Sequence, residues 1–477
     1  MQKIFLTGAT GTMGSATLRE LLRRPDMFQI KVLARPSGKN RRILGELERR
    51  GAVSVVWGDL LDPDAISRGI SDADIVLHVG GMVSPAADRM PELTWKVNTG
   101  SMRLIADAVR SRPGSEEVAV VYIGSVSQYG PRSEPFHWGR AGDPMVAAKG
   151  DWYALSKIAA ERILAESGLK KWVSLRQTGI LCPEILFKGS DPISFHVPLR
   201  GVLEWTTAEE SGRLLASLCE KAPSLPASFW RRFYNIGSGE AFRMSNYDFE
   251  RRLMSALSSP PPEKVFDTRW FALGNFHGIW YTDSDRLEEL FHFRSGTDAD
   301  TYFHTMASRL PFWFRLAGIV PPALIKAMMK RVALKKPLGT LAWERDGDTA
   351  RTNAFFGSQQ RRDAIPGWDR FDLSDPSRTP KLLDHGYDED KPEALLSIHD
   401  MRQAAAFRGG RSLSEKMDTG DLYTPLEWEC ACGHRFTATP ATVILGGHWC
   451  PECFPPEWDY EAEARVNPFL AQVVRPD

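Results

Sequence analysis

Neither charge nor hydrophobicity is concentrated enough in this chain to assign it a class. Sixty Lys and Arg balance sixty Asp and Glu over 477 residues, giving a formal net charge of zero. That balance argues against a polyanion-binding protein as a whole, because neutralising phosphates takes an excess of cations, while leaving room for a local basic patch. No apolar run reaches the roughly 20 residues that a bilayer-spanning helix needs. The N-terminus lacks a basic stretch followed by an apolar one, so no secretory signal peptide is expected. Cysteine is scarce, at six, and four of the six (Cys430, Cys432, Cys450 and Cys453) crowd into the last tenth of the chain. Such clustering argues against a disulfide framework and for metal ligation in a reducing compartment, which makes the cytoplasm the expected location. Internal repeats and low-complexity tracts are absent.

What is present is a rhythm. A chain this long exceeds one ordinary core, so two or three structural units are expected. In the first half, short β-branched runs (Lys3–Leu6, Ile30–Ala34, Val53–Trp57, Ile75–Val79, Ala119–Ile123, Val173–Gln177) alternate with amphipathic stretches such as Met13–Arg24 and Met102–Arg110. Phe233–Ile236 reads as a further strand and Asn246–Leu257 as a helix. Alternation of this kind predicts an α/β fold, a doubly wound, Rossmann-like parallel sheet with helices on both faces. Ligands of such sheets sit at the C-terminal ends of the strands.

The motifs fall there. Thr7-Gly8-Ala9-Thr10-Gly11-Thr12-Met13-Gly14 follows the first strand and opens the first helix. Small residues let the backbone approach a pyrophosphate, and the helix N-terminus offers it free N–H groups, so Gly8, Thr10, Gly11, Thr12, Met13 and Gly14 are expected to hold a dinucleotide. At the end of the second strand stands Arg35, with Lys39, Arg41 and Arg42 nearby, where a NAD site would usually carry Asp or Glu. Cations there suit the 2′-phosphate of NADP(H), which is therefore expected in preference to NAD(H). Asp59 and Leu60, after the third strand, are placed to hold the adenine.

Tyr153 and Lys157 stand four residues apart, hence on one helical face. A free phenol titrates near ~10, and a neighbouring cation lowers that value toward use as an acid/base group. Ser125, in Ile123-Gly124-Ser125-Val126-Ser127-Gln128-Tyr129-Gly130, brings a hydroxyl to the same sheet edge. Together with the glycine loop, Asp59, His78-Val79-Gly80-Gly81 and Asn98, these residues resemble the extended short-chain dehydrogenase/reductase family of NAD(P)-dependent epimerases and dehydratases, over about residues 1–300. The resemblance implies that Ser125, Tyr153 and Lys157 form a catalytic triad, with Tyr153 as general acid/base, Ser125 polarising the substrate oxygen, and Gly80 and Lys157 beside the cofactor. Two positions depart from the pattern: Gln177 stands where many members have proline, and no acidic residue adjoins Ser125. The second departure disfavours dehydration relative to redox or epimerisation.

In this family substrate specificity follows the sixth strand, here His196–Arg200, Asn235 and Phe271–Tyr281 with His277 and Trp280; Arg200 and Arg243 are the candidates for a diphosphate. Residues 301–420 read as a helical and irregular extension. Within it, 310–334 is apolar and basic, with Phe312, Trp313, Phe314, Arg315, Lys326, Lys330 and Arg331. A packed helical hairpin is expected of that segment, with peripheral membrane contact as the alternative. Residues 421–458 resemble a zinc ribbon. Its knuckles, Cys430-Ala431-Cys432-Gly433-His434 and Cys450-Pro451-Glu452-Cys453, fit a tetrahedral structural zinc held by Cys430, Cys432, Cys450 and Cys453, with His434 competing with Cys432 for one position. An acidic tail, 459–477, is expected to repel phosphate, so no nucleic-acid partner is anticipated.

The expected activity is NADP(H)-dependent oxidation or reduction of a secondary alcohol or carbonyl, on a small-molecule substrate, by a homodimer. The alternatives are an epimerase, or a cofactor-sensing scaffold that uses the zinc module for protein contacts. An intact Ser125, Tyr153 and Lys157 set favours an enzyme, since a sensor has no use for proton transfer.

Overall fold

The computed structural model describes residues 1–183, 185, 191–311, 319–454 and 458–475. Seven strands form its central sheet: β1 (Gln2–Thr7), β2 (Phe28–Ala34), β3 (Ser54–Trp57), β4 (Ile75–His78), β5 (Ala119–Ser125), β6 (Trp172–Gln177) and β7 (Arg232–Ile236). Their order is β7-β6-β5-β4-β1-β2-β3, with all neighbours parallel. Strand side chains alternate between faces, and the core divides accordingly. Ile4, Leu6, Val32 and Leu77 pack with Leu18 and Leu21 of α1 (Thr12–Leu22) and with Leu214 and Leu218 of a later helix, Ala208–Lys221. Phe5, Leu33, Val76 and Val120 pack with Ile105 and Val109 of α2 (Pro91–Arg110) and with Ala160 and Leu164 of α3 (Trp152–Ala165). The order reverses between β1 and β4, which opens a crevice at their C-terminal ends.

The extension is more ordered than its weak periodicity suggests. Helices span Thr340–Asp346, Thr349–Phe356 and Ile398–Phe407. They cover the half of the molecule beyond β6: the His196 ring lies 4.9 Å from Trp343 and 4.8 Å from Phe355, and both His137 and Trp138 bond the Ser377 carbonyl at 2.9 Å. In the apolar, basic segment, residues 312–318 lie outside the described residues. The rest forms a helix, Pro322–Ala333, that packs Ile325 and Met329 against the Phe266 cluster and leaves Leu324 and Met328 exposed. Among the described residues no helix is long and apolar enough to cross a membrane.

The segment read as an acidic tail is packed. Residues Tyr460–Ala464 and Pro468–Val474 are short helices folded back onto the enzyme half, with Tyr460 and Leu470 packed on Val146 and the Tyr460 hydroxyl donating to the Ala147 carbonyl at 2.6 Å.

Candidate active site and metal centre

The glycine loop is closed by its own lack of side chains. Gly8 has φ +76°, and a Cβ there would stand 2.7 Å from the Gly80 backbone at the end of β4; a Cβ at Gly14 would collide with the Gly8 carbonyl. Thr7 ties the two strand ends together, its hydroxyl accepting from Gly80 N–H at 3.0 Å. Gly11 is the N-cap of α1 and offers no side-chain cap. The first N–H groups of the helix therefore point into the crevice without an intrahelical acceptor, as an anion site requires.

Ser125 ends β5 and caps the turn Val126–Tyr129. Its amide donates to Gln128 Oε1 at 2.6 Å, and its Oγ accepts from Ser127. The same hydroxyl faces the phenol of Tyr153 closely enough to draw its pKa down. Asp151 caps α3 by accepting from Ala154 N–H at 2.8 Å, fixing the turn from which Tyr153 projects. One turn on, the buried Lys157 donates to the Ile123 carbonyl at 2.8 Å and lies 4.9 Å over the Tyr122 ring. A Cβ on Gly81 would be 3.8 Å from Lys157 Nζ, so the ammonium faces the end of β4. The structure thus brings together Ser125, Tyr153, Lys157, Gly80 and the glycine loop.

The electrostatics differ in one respect from expectation. Burial pushes the Tyr153 phenol up to about 12, opposed by the Ser125 hydroxyl and reinforced by Asp151 and Asp88; Lys157 is not among the groups that shift it. Burial lowers Lys157 to about 8, partly offset by Glu161. At neutral pH the pair is a protonated phenol beside an ammonium. Arg35, Lys39 and Arg42 are exposed at the end of β2, while Arg41 lies 5.1 Å over Trp57. Asp59 is exposed and accepts from Leu61 N–H at 3.0 Å, which shapes the turn after β3.

Several residues assigned to the substrate are committed elsewhere. Arg200 is paired with Glu134 and Asp372, and Arg243 with Glu204 at 2.7 Å. Neither is a free diphosphate ligand, because the extension and the central fold supply the counter-ions. Asn235 accepts from the Tyr129 hydroxyl at 2.7 Å and donates to Asp283 at 2.9 Å. Trp280 and Tyr281 are fully buried, and burial pushes His277 down to about 4. Gln177 bonds Ser211 and the Thr178 carbonyl, satisfying the polar group that replaces proline.

Sequence reasoning missed the residue that follows Tyr153 and Lys157 at the same spacing, Glu161. Its buried carboxylate receives Arg176 Nη2 at 2.7 Å and Nε at 3.0 Å, Ser174 Oγ at 2.6 Å, and His448 Nε2 at 2.9 Å. Both side chains of the Glu161–Arg176 pair are 0% exposed. These donors hold the Glu161 carboxyl well below its usual range. The four-residue period was the available signal.

Near the C-terminus a hairpin, Leu426–Glu429 with Arg435–Ala438, carries the first knuckle. Cys430, His434, Cys450 and Cys453 place their ligand atoms within 4.8 Å of one another. Cys432 is exposed and outside the cluster, so the expected ligand set is corrected to three cysteines and His434. The turn explains the exchange: Gly433, at φ +79°, donates to the Cys430 carbonyl at 2.9 Å and swings His434 inward while Cys432 sits at the tip. The separations are 3.7 Å for Cys430–Cys453 Sγ, and 3.8 and 3.4 Å from His434 Nδ1 to Cys450 and Cys453. A tetrahedral ion with Zn–S of about 2.3 Å has edges of about 3.8 Å, so the donors fit.

Residues 4–181 match the model of the NAD dependent epimerase/dehydratase family. In fold the chain is similar to DesIV, a dTDP-glucose 4,6-dehydratase from Streptomyces venezuelae with NAD and TYD bound, at 16% identity and a TM-score of 0.50 over 64% of this chain and 96% of that one. UDP-glucose 4-epimerase from Thermus thermophilus, in complex with NAD, aligns at 18% identity and a TM-score of 0.48 over 66% of this chain and 99% of that one. A nonribosomal peptide synthetase, asaC, of Aspergillus flavus is 46% identical over 63 residues, which are 13% of this chain and 6% of that protein.

Proposed function

We propose that the chain is an NADP(H)-dependent oxidoreductase that interconverts a secondary alcohol and a carbonyl. The observation that carries this reading is the convergence of the Ser125 hydroxyl and the Tyr153 phenol, with Lys157 one turn away beside the glycine loop. In the reducing direction Tyr153, protonated at neutral pH, gives its proton to the carbonyl oxygen while Ser125 stabilises the charge developing there. Lys157 keeps a positive charge next to the phenol and bonds the ribose. Gly8, Thr10, Gly11, Thr12, Met13 and Gly14 hold the pyrophosphate, Asp59 and Leu60 the adenine, Gly80 the inner ribose, and Arg35 the 2′-phosphate. When bound, the nicotinamide supplies or accepts the hydride.

Arg35 is what separates this reading from the similar structures solved with NAD. The test is cofactor titration of the protein and of Arg35→Asp. Tighter binding of NADPH than NADH, abolished by the substitution, supports it; equal binding of the two overturns the NADP(H) assignment. Epimerisation is the second reading, favoured by the family, and retention of the cofactor through turnover would identify it. For the Cys430–His434–Cys450–Cys453 cluster we propose a structural zinc, since four protein ligands leave no position open for substrate.

A further inference from the structure

The metal cluster and the catalytic helix are joined by a short buried path. The chain runs from Gly446 to Cys450, a ligand, and on the way touches α3 and its partners three times. The Gly446 carbonyl accepts from Arg176 Nη2 at 2.7 Å, His448 Nε2–H donates to Glu161 at 2.9 Å, and Arg162 Nη1 donates to the Trp449 carbonyl. The approach is close: Gly447 has φ +75°, and a Cβ on Gly446 would stand 2.8 Å from the Phe233 ring. Arg176 also donates to the Tyr129 hydroxyl at 2.7 Å, in the turn that Ser125 caps. Glu161 and Arg176 lie one turn beyond Lys157 and one strand beside Ser125. The Glu161–Arg176 pair therefore braces both elements that carry the site, and its donors and acceptors are completed only by residues 446–448.

We infer that the Cys₃His metal centre positions the catalytic helix, with His448 as the positioning residue through which it acts. A bound ion fixes Cys450 and with it the loop 446–449. Without the ion, that loop is tethered only by its own contacts, and an opening would strand a buried carboxylate and guanidinium without two of their partners. Buried polar groups left unpaired destabilise strongly, and the relief available is movement of α3, which displaces Lys157 and Tyr153. The dinucleotide site is thus complete only in the metal-loaded protein. This rests on the reading of the domain as a dinucleotide enzyme.

Three full-length proteins test it: the parent, His448→Leu and His448→Gln, the last keeping an N–H donor for Glu161. Metal content, NADPH affinity by fluorescence, and amide hydrogen exchange over residues 153–165 are measured on each, and on the parent after chelation and zinc readdition. The expected result is one metal per chain in all three, NADPH binding weakened about tenfold in His448→Leu and in the chelated parent, recovery in His448→Gln and on zinc readdition, and faster exchange wherever binding weakens. A His448→Leu protein with full metal, unchanged exchange in α3 and affinity within twofold of the parent overturns the inference. So does a chelated parent that binds and exchanges like the loaded one. If the parent binds neither NADPH nor NADH, the dinucleotide reading has failed, while exchange over 153–165 still decides whether the metal positions the helix.

Discussion

Replacing Glu161 with glutamine removes one negative charge and no volume from the core beneath the seven-stranded sheet. In the parent the carboxylate takes two donors from Arg176 and one each from Ser174 and His448, with both members of the ion pair fully buried. The amide leaves the Arg176 cation with only neutral acceptors, Tyr129 and the Gly446 carbonyl. Breaking a buried pair from one side destabilises by about 3–5 kcal/mol. With a urea dependence of about 2–3 kcal/mol/M, the unfolding midpoint should fall by about 1–2.5 M. Arg176→Met and the double variant complete a cycle, in which a coupling of about 2–3 kcal/mol is expected. The pH dependence has a definite sign. Because the folded carboxyl titrates well below its ordinary 4.5, its contribution is complete above that value and is lost as pH falls further. The gap between parent and Glu161→Gln should therefore be constant near neutrality and narrow below about pH 4.5. A Glu161→Gln penalty under about 1 kcal/mol, or a coupling near zero, would refute the claim that this pair braces the site.

Other consequences can be measured separately. Tyr153→Phe should lower turnover by at least about 100-fold while leaving the cofactor Kd within about twofold, as read by steady-state rates and titration. Lys157, lowered to about 8, should impose an alkaline limb, so that carbonyl reduction falls as pH rises through that value, and Lys157→Arg should move the limb upward. Gly14→Ala should abolish dinucleotide binding, because its methyl meets the Gly8 carbonyl, without loss of the metal. Cys432→Ser should retain one metal per chain by elemental analysis, whereas Cys453→Ser should lose it.

The sheet was legible because its signal is local. Each strand is a short β-branched run, each helix a periodic one, and the glycine loop advertises a backbone that must pass close to a ligand. Observed strand and helix ends lie close to those read from the pattern, except that α2 begins at Pro91, eleven residues before the stretch read from Met102. The proximity of Tyr153, Lys157 and Ser125 was readable because motif spacing and strand ends coincide. The substrate half was not. Arg200 and Arg243 present themselves in sequence as free cations, and only the fold brings Glu134, Asp372 and Glu204 to them. His434 lost to Cys432 in the reading because cysteine pairs are judged by spacing, while a left-handed Gly433 decides which side chain turns inward. Packing between residues 335–475 and the domain before them leaves little periodic trace, since it is made by single side chains such as His385, whose Nε2 meets Asp143 at 2.9 Å.

Arg176 donates to a carbonyl that lies 270 residues further along the chain. On a ribosome adding about 5–20 residues per second, residues 4–181 are complete roughly a quarter of a minute to a minute before residue 446 emerges. During that interval the sheet can begin to form, but its buried arginine lacks one of its acceptors, the Gly446 carbonyl, and its glutamate one of its donors, His448. The sheet around Glu161 and Arg176 is therefore expected to mature only after residues 446–448 have been made, with their docking as a late step of its folding.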